Sequence, residues 1–280
     1  MNDRRLTPAN GRVAASHLRG QIQAVSFTHG TPAQVIQFQA GLYATPDGPL
    51  DRQLLFGDDV TVFESRDGWA FVQSAKDGYC GYVPAVSLAE PVAATHAVCL
   101  RQTHIYPPAG FKAIPLLRLP FGARVCVTGQ SGNWTEIAWS GGTGILPQTH
   151  LRDLAASLRD PAATAALFLG TPYLWAGNTG DGIDCSGLVQ AACLAAGLPC
   201  RGDSDQQART LGTVIDDAEP LRRNDLLFWN GHVALIESPQ TMIHATAFAM
   251  AVIREDIASA IARIHAAGDG EIIARRRLLL

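Results

Sequence analysis

Between about residues 33 and 150, apolar positions come in short alternating runs cut by Gly, Asp and Asn, as in "DDVTVFESRDGWAFVQ". A period of two bounded by turn residues predicts short strands folded as a small all-β barrel or sandwich. The pattern occurs twice. "LLFGDDVTVFESRDGWAFVQ" aligns with "LPFGARVCVTGQSGNWTEIA", so that Phe56-Gly57 matches Phe121-Gly122 and Trp69 matches Trp134. Each copy then closes on a Gly, two apolar residues and a Pro, at Gly81 to Pro84 and Gly144 to Pro147. Two copies predict tandem domains, since a stacked array needs at least about three units. Trp69 and Trp134 are expected in the cores of their domains. "SLAEPVAATH" reads as the connector, and the first thirty or so residues show no clear pattern.

After about Leu151 the pattern changes. "RDPAATAALFLG" predicts a helix with Asp160 as N-cap, Pro161 in the first position and Gly170 as its stop. "TPYLWAGNTGDGID" is a loop rich in Gly, Asn and Asp. "CSGLVQAACLAAG" predicts a second helix, ended by Gly197 with Pro199 just beyond. In "NDLLFWNGHVALIESPQTMIHATA" two apolar runs flank Asn230-Gly231, a strong hairpin signal; His232 opens the second strand and His244 lies in the next apolar run.

The chain has 280 residues, 47% of them hydrophobic, enough for two or three cores. A net charge of −3 gives no nucleic-acid footprint. No apolar run is long enough to span a bilayer, and "MNDRRLTPANGRVAASHLRG" has no leader-like apolar segment, so the expected location is cytoplasmic. Six cysteines are too few for a disulfide scaffold, their spacing fits zinc poorly, and no metal site is expected. Cys80, Cys99, Cys126, Cys193 and Cys200 are expected to be small packed hydrophobes, and no cofactor is expected.

Cys185 differs because it falls at a helix start. Exposed amides and the helix dipole there favour a thiolate, which is the reactive form. A cysteine nucleophile needs a base within reach and a third group to orient it. Taken singly, His232 and His244 read as half-buried strand residues. Together with a cysteine at a helix start they indicate nucleophilic catalysis.

"TPYLWAGNTGDGIDCSGLVQ", "GHVAL" and "IHA" together resemble the NlpC/p60 cysteine peptidases, over residues from about 155 to 280. The resemblance implies an α+β papain-like catalytic domain, with Cys185 as nucleophile, His232 as general base and acid, and His244 orienting His232. It also implies that Tyr173 stabilises the oxyanion together with an amide at the helix start. "LWAGN" departs from the family in carrying Ala before the Gly. The two β repeats resemble bacterial SH3 domains. The expected architecture is therefore an N-terminal extension (1–32), two small all-β SH3-like barrels (33–93 and 94–152) and a catalytic domain (153–280).

Catalytic domains of this family typically cut between the γ-carboxyl of D-glutamate and a diamino acid in cell-wall peptides. SH3-like domains ahead of the catalytic one resemble the recycling endopeptidases, which accept peptides with a free N-terminal L-alanine. The substrate implied is a murein-derived peptide such as L-Ala-γ-D-Glu-diaminopimelate. On that resemblance Asp203 and Ser204 of "RGDSDQQ", with Asp184 and Ser186, bind the free amine, which needs a carboxylate and hydroxyl acceptors. By itself "GDSDQQ" is a polar loop that caps a helix. Tyr79 of "DGYCGYV" is the candidate for narrowing the pocket, or else a rim residue of its domain. The competing readings are an exported wall lysin anchored by its SH3-like domains, a binding module on a lapsed enzyme, and a related acyltransferase or amidase.

Overall fold

The computed structural model describes residues 3–268 and 270–280. The chain divides into two compact units, residues 1–155 and 156–280.

In the first unit, seven antiparallel strands lie in the order Leu50–Leu55, Gln39–Tyr43, Cys80–Pro84, Trp69–Ser74, Asp59–Arg66, Thr31–Val35, Leu88–Ala89. Five more follow in the order Gly142–Pro147, Trp134–Trp139, Arg124–Ser131, His96–Val98, Leu151–Asp153, beside a separate hairpin of Gln102–Ile105 with Leu117–Pro120. The sequence repeat is also a repeat of backbone. Gly57 and Gly122 both have φ 79°, a left-handed conformation that a side chain would strain. The strands Asp59–Arg66 and Arg124–Ser131 each carry a register shift, at Val62/Glu64 and Val127/Gly129. Each copy ends in Gly-x-x-Pro, a single 3-10 turn (Ala85–Ser87 or Gln148–His150) and a short strand. The strand Leu151–Asp153 belongs to this first unit.

Alternation places Val35, Leu42, Leu54, Val60, Val72 and Val83 in one core, and Val98, Ile105, Leu119, Val125, Ile137 and Leu146 in another. Trp69 and Trp134, expected in those cores, are only half-buried. Each opens a strand directly after a turn, where the sheet face meets solvent. Trp69 packs edge-on to Tyr43, and Trp134 packs against Tyr106 and Phe111. The N-terminal residues form a layer on the first copy. Val13 joins Phe71, Cys80 and Tyr82 in a small cluster, and Arg12 pairs with Glu64.

The second unit is α+β. Its helices are α1 (Pro161–Ala166), α2 (Cys185–Ala195), α3 (Ser204–Thr210) and α4 (Ile257–Ala267). Asp160 caps α1 as expected, accepting from the Ala163 amide, but α1 ends at Ala166, well before Gly170. Its sheet strands are β1 (Thr213–Val214), β2 (Asp225–Trp229), β3 (His232–Ile236), β4 (Thr241–Thr246), β5 (Ala251–Asp256) and β6 (Ala274–Arg277). They pair antiparallel in the order β1-β6-β2-β3-β4-β5. α2 packs on β3 and β4. Leu227, Trp229, Ile236 and Met242 form a core with Ile257, Ala260 and Ile264 of α4. Among the described residues no helix is long and apolar enough to cross a membrane.

Candidate active site

Cys185 is the first residue of α2 because Asp184 caps that helix. Asp184 Oδ1 accepts from the Gly187 amide at 2.6 Å and from Ser186 Oγ at 2.9 Å. A residue with a Cβ would not fit at Gly187, since that atom would lie 2.5 Å from the Gly177 carbonyl oxygen. The short Asp-Cys-Ser-Gly sequence thus combines a cap, a thiol at the helix start and a close approach of the preceding loop. That loop is held by an Ala in a left-handed conformation, Ala176 at φ 63° and 1% exposed.

The hairpin of β2 and β3 turns at Asn230-Gly231, with Trp229 paired to His232 and Gly231 at φ 75°. It brings the thiol against the backbone on either side of His232: Cys185 Sγ donates to the Gly231 carbonyl at 3.9 Å, and the Val233 amide also bonds to this sulfur. The β3–β4 register pairs Leu235 with Ile243, which sets His244 opposite Ala234 and on the same face as His232. His232 Nε2 and His244 Nδ1 are 2.9 Å apart. Beyond them, His244 Nε2 lies 3.0 Å from Glu255 Oε2 on β5, and Arg263 of α4 holds both Glu255 oxygens, through Nε at 2.9 Å and Nη2 at 2.7 Å.

The electrostatics follow from burial. His232 is pushed down to about 3, chiefly by desolvation and then by His244 and Arg263. His244 is pushed down to about 4 by burial, against the opposing pull of Glu255. Both rings are therefore neutral near pH 7. Glu255 is held below the usual carboxylate range, first by its hydrogen bond from Arg263. Cys185 does not follow the expectation of a lowered thiol. Burial and then Asp184 push it up to about 12, while the amides of Val233, Ser186 and Cys185 pull the other way. Desolvation of the anion outweighs three hydrogen bonds from the helix start and the hairpin.

Tyr173 is half-buried, with its amide bonded to the Met250 carbonyl at 2.9 Å. Its phenol is raised by burial and then by Cys185 and Asp184, and is a neutral donor. Asp203 is the N-cap of α3 and Ser204 its first residue. Their loop is tied to the start of α2 by Gln207, fully buried, whose Nε2 donates to the carbonyls of Ser186 at 2.9 Å and Arg201 at 3.0 Å. Tyr79 lies in the other compact unit, 2% exposed within the core of the first β domain. Among the described residues no group of three or more His, Cys, Asp and Glu could hold a metal ion.

Sequence reasoning missed Glu255, Arg263 and Gln207. "REDI" carries no motif, and Glu255 meets His244 only through the β4–β5 register and α4.

Comparison with known proteins matches residues 170–267 to the NlpC/P60 family and residues 42–88 to the bacterial dipeptidyl-peptidase SH3 domain. The chain is 28% identical to a γ-D-glutamyl-L-lysine dipeptidyl-peptidase of Bacillus cereus over 73% of this chain and 69% of that protein. It is also 28% identical to dipeptidyl-peptidase 6 of Lysinibacillus sphaericus, over 76% of this chain and 87% of the relative. A crystal structure of an NlpC/P60 family protein from Bacillus cereus superposes with a TM-score of 0.76 at 21% identity, covering 89% of this chain and all of the other, and shares its fold. The chain thus carries an NlpC/P60 domain, with a bacterial SH3 domain ahead of it.

Proposed function

We propose that this chain is a cysteine peptidase that cuts the γ-D-glutamyl–diamino acid bond of peptidoglycan-derived peptides with a free N-terminal L-Ala. The observation that carries the reading is the thiol at a capped helix start, bonded to the carbonyl of the residue that precedes a histidine, itself bonded to a second histidine. Cys185 Sγ attacks the γ-carbonyl carbon as His232 takes the thiol proton. Tyr173 and the Cys185 amide donate to the oxyanion. Collapse breaks the C–N bond, and His232 returns its proton to the leaving amine of the diamino acid. Water, deprotonated by His232, then attacks the thioester and releases L-Ala-D-Glu and the thiol.

The names of the relatives support a dipeptidyl-peptidase, which counts two residues from a free N-terminus. Such counting needs an amine pocket, and Asp203, Ser204, Asp184 and Ser186 supply the carboxylates and hydroxyls for it. We read residues 94–152 as a second SH3-like domain on the repeated backbone geometry, and the site of action as the cytoplasm, where released murein peptides are recycled.

The test is mass spectrometry after incubation with L-Ala-γ-D-Glu-meso-diaminopimelate, its L-Lys counterpart and their N-acetylated forms. The expected result is release of L-Ala-D-Glu from the free-amine peptides alone. Cleavage of the acetylated peptides as well would replace the recycling role with that of a wall lysin. Cleavage of none would overturn the peptidase assignment.

A further inference from the structure

His244, the second member of the histidine pair, can face its neighbour in two ways, and only one of them suits the proposed chemistry. A neutral imidazole has one N–H donor and one lone-pair acceptor. If His244 carries its proton on Nδ1, it donates to His232 Nε2. The only proton of His232 then sits on Nδ1, and no nitrogen of His232 is left to accept from the thiol. If His244 carries its proton on Nε2, its Nδ1 accepts from His232 Nε2–H. His232 Nδ1 is then a free lone pair, on a ring whose backbone neighbours, Gly231 and Val233, both contact Cys185 Sγ. Two histidines side by side have no intrinsic preference between these arrangements.

Glu255 supplies one. Its Oε2 lies 3.0 Å from His244 Nε2. An ionised carboxylate has no proton to give, so His244 must donate there. Arg263 keeps that carboxylate ionised by donating to both oxygens, and is itself held over the Phe248 ring at 4.1 Å. The charged groups around His244 are therefore Glu255 from β5 and Arg263 from α4, with neutral His232 from β3. We infer that Glu255, braced by Arg263, is a positioning residue that fixes the tautomers of both histidines and leaves His232 Nδ1 free to act as the base. The inference rests on the proposed Cys-His-His chemistry for its catalytic meaning, but the tautomers can be observed without any substrate.

The experiment is a long-range proton–nitrogen NMR correlation of the histidine rings in the full chain, paired with steady-state kinetics. Two variants are compared with the parent. Glu255→Gln keeps an acceptor oxygen. The double variant Glu255→Leu with Arg263→Leu removes the acceptor without leaving a lone guanidinium. The expected parent spectrum has His244 and His232 each protonated at Nε2 only. The double variant should populate Nδ1-protonated His244 and lose about 100-fold or more in kcat, with KM nearly unchanged, because a wrong tautomer disables the base. Glu255→Gln should keep the parent tautomers and stay within about tenfold of parental kcat. Parent-like tautomers or parental kcat in a double variant that melts cooperatively would overturn the inference. So would Nδ1-protonated His244 in the parent. A parent that cleaves no peptide yet shows the expected tautomers would overturn the proposed substrate and leave this assignment standing.

Discussion

The proposed nucleophile is where chemistry and burial pull in opposite directions. Cys185 gains three amide hydrogen bonds at the helix start and hairpin, yet its thiol lies up at about 12 because the anion would be desolvated. On the proposed chemistry it rests as a thiol, with His232 neutral, until the substrate binds. Cys185→Ala should abolish turnover with an unchanged circular dichroism spectrum. His232→Ala should cost about 10²–10⁴-fold in kcat, and His244→Ala less, since orienting a base matters less than being one; equal losses measured side by side would reverse those roles. His232 must be neutral to accept a proton, and its value is lowered from 6.5 to about 3. The acid limb of kcat/KM should therefore lie below about pH 5, and a midpoint near 6.5 would mean a solvated, unperturbed base. Cys185, His232 and His244 were legible in the sequence as candidates because a helix-forming run, a hairpin turn and an apolar run each mark one of them locally. The direction of the thiol's shift was not, because burial is a property of the packed surroundings.

Helices and strands were legible where a single signal sets them. Asp160 caps α1, and Asn230-Gly231 turns the β2–β3 hairpin. What failed was anything set by pairing between distant segments. Glu255 reaches His244 only through the β4–β5 register, and the three-residue parallel pair of Val13–Ala15 with Ser26–Thr28 leaves no periodic trace. The loop before α2 offers two tests of how tightly it is built. Gly187→Ala places a methyl 2.5 Å from the Gly177 carbonyl, which has no room to give. It should destabilise the domain by about 1–3 kcal/mol in denaturant titration and lower activity with it. Ala176, at φ 63°, pays for a left-handed backbone, so Ala176→Gly should raise the unfolding free energy by up to about 1 kcal/mol in denaturant titration.

At the scale of the whole molecule, a repeated β unit precedes an enzyme-like α+β unit, and the repeat was legible because two stretches of sequence share a Phe-Gly and a Trp at the same spacing. Stability should share the acid sensitivity of the buried histidines. Unfolded, His232 and His244 take up protons below about 6.5; folded, they resist until about 3 and 4. Their contribution is complete above 6.5 and declines as pH falls toward 4, and the lowered carboxylates Glu255, Glu237 and Glu64 add to the loss in the same direction below 4.5. Scanning calorimetry should find a lower Tm at pH 5 than at pH 7.

The hydrogen-bonded series that begins beside the thiol ends on Arg263, a group that gives up no proton at any physiological pH. As a proton wire it is closed at its far end. On the proposed chemistry, a proton lifted from Cys185 cannot drain through His244 toward the back of the domain, so it waits on His232 until the departing amine collects it. Thiol deprotonation and product departure are thereby coupled through one stored proton, and a proton inventory in mixed light and heavy water should be linear, with a single hydron in flight.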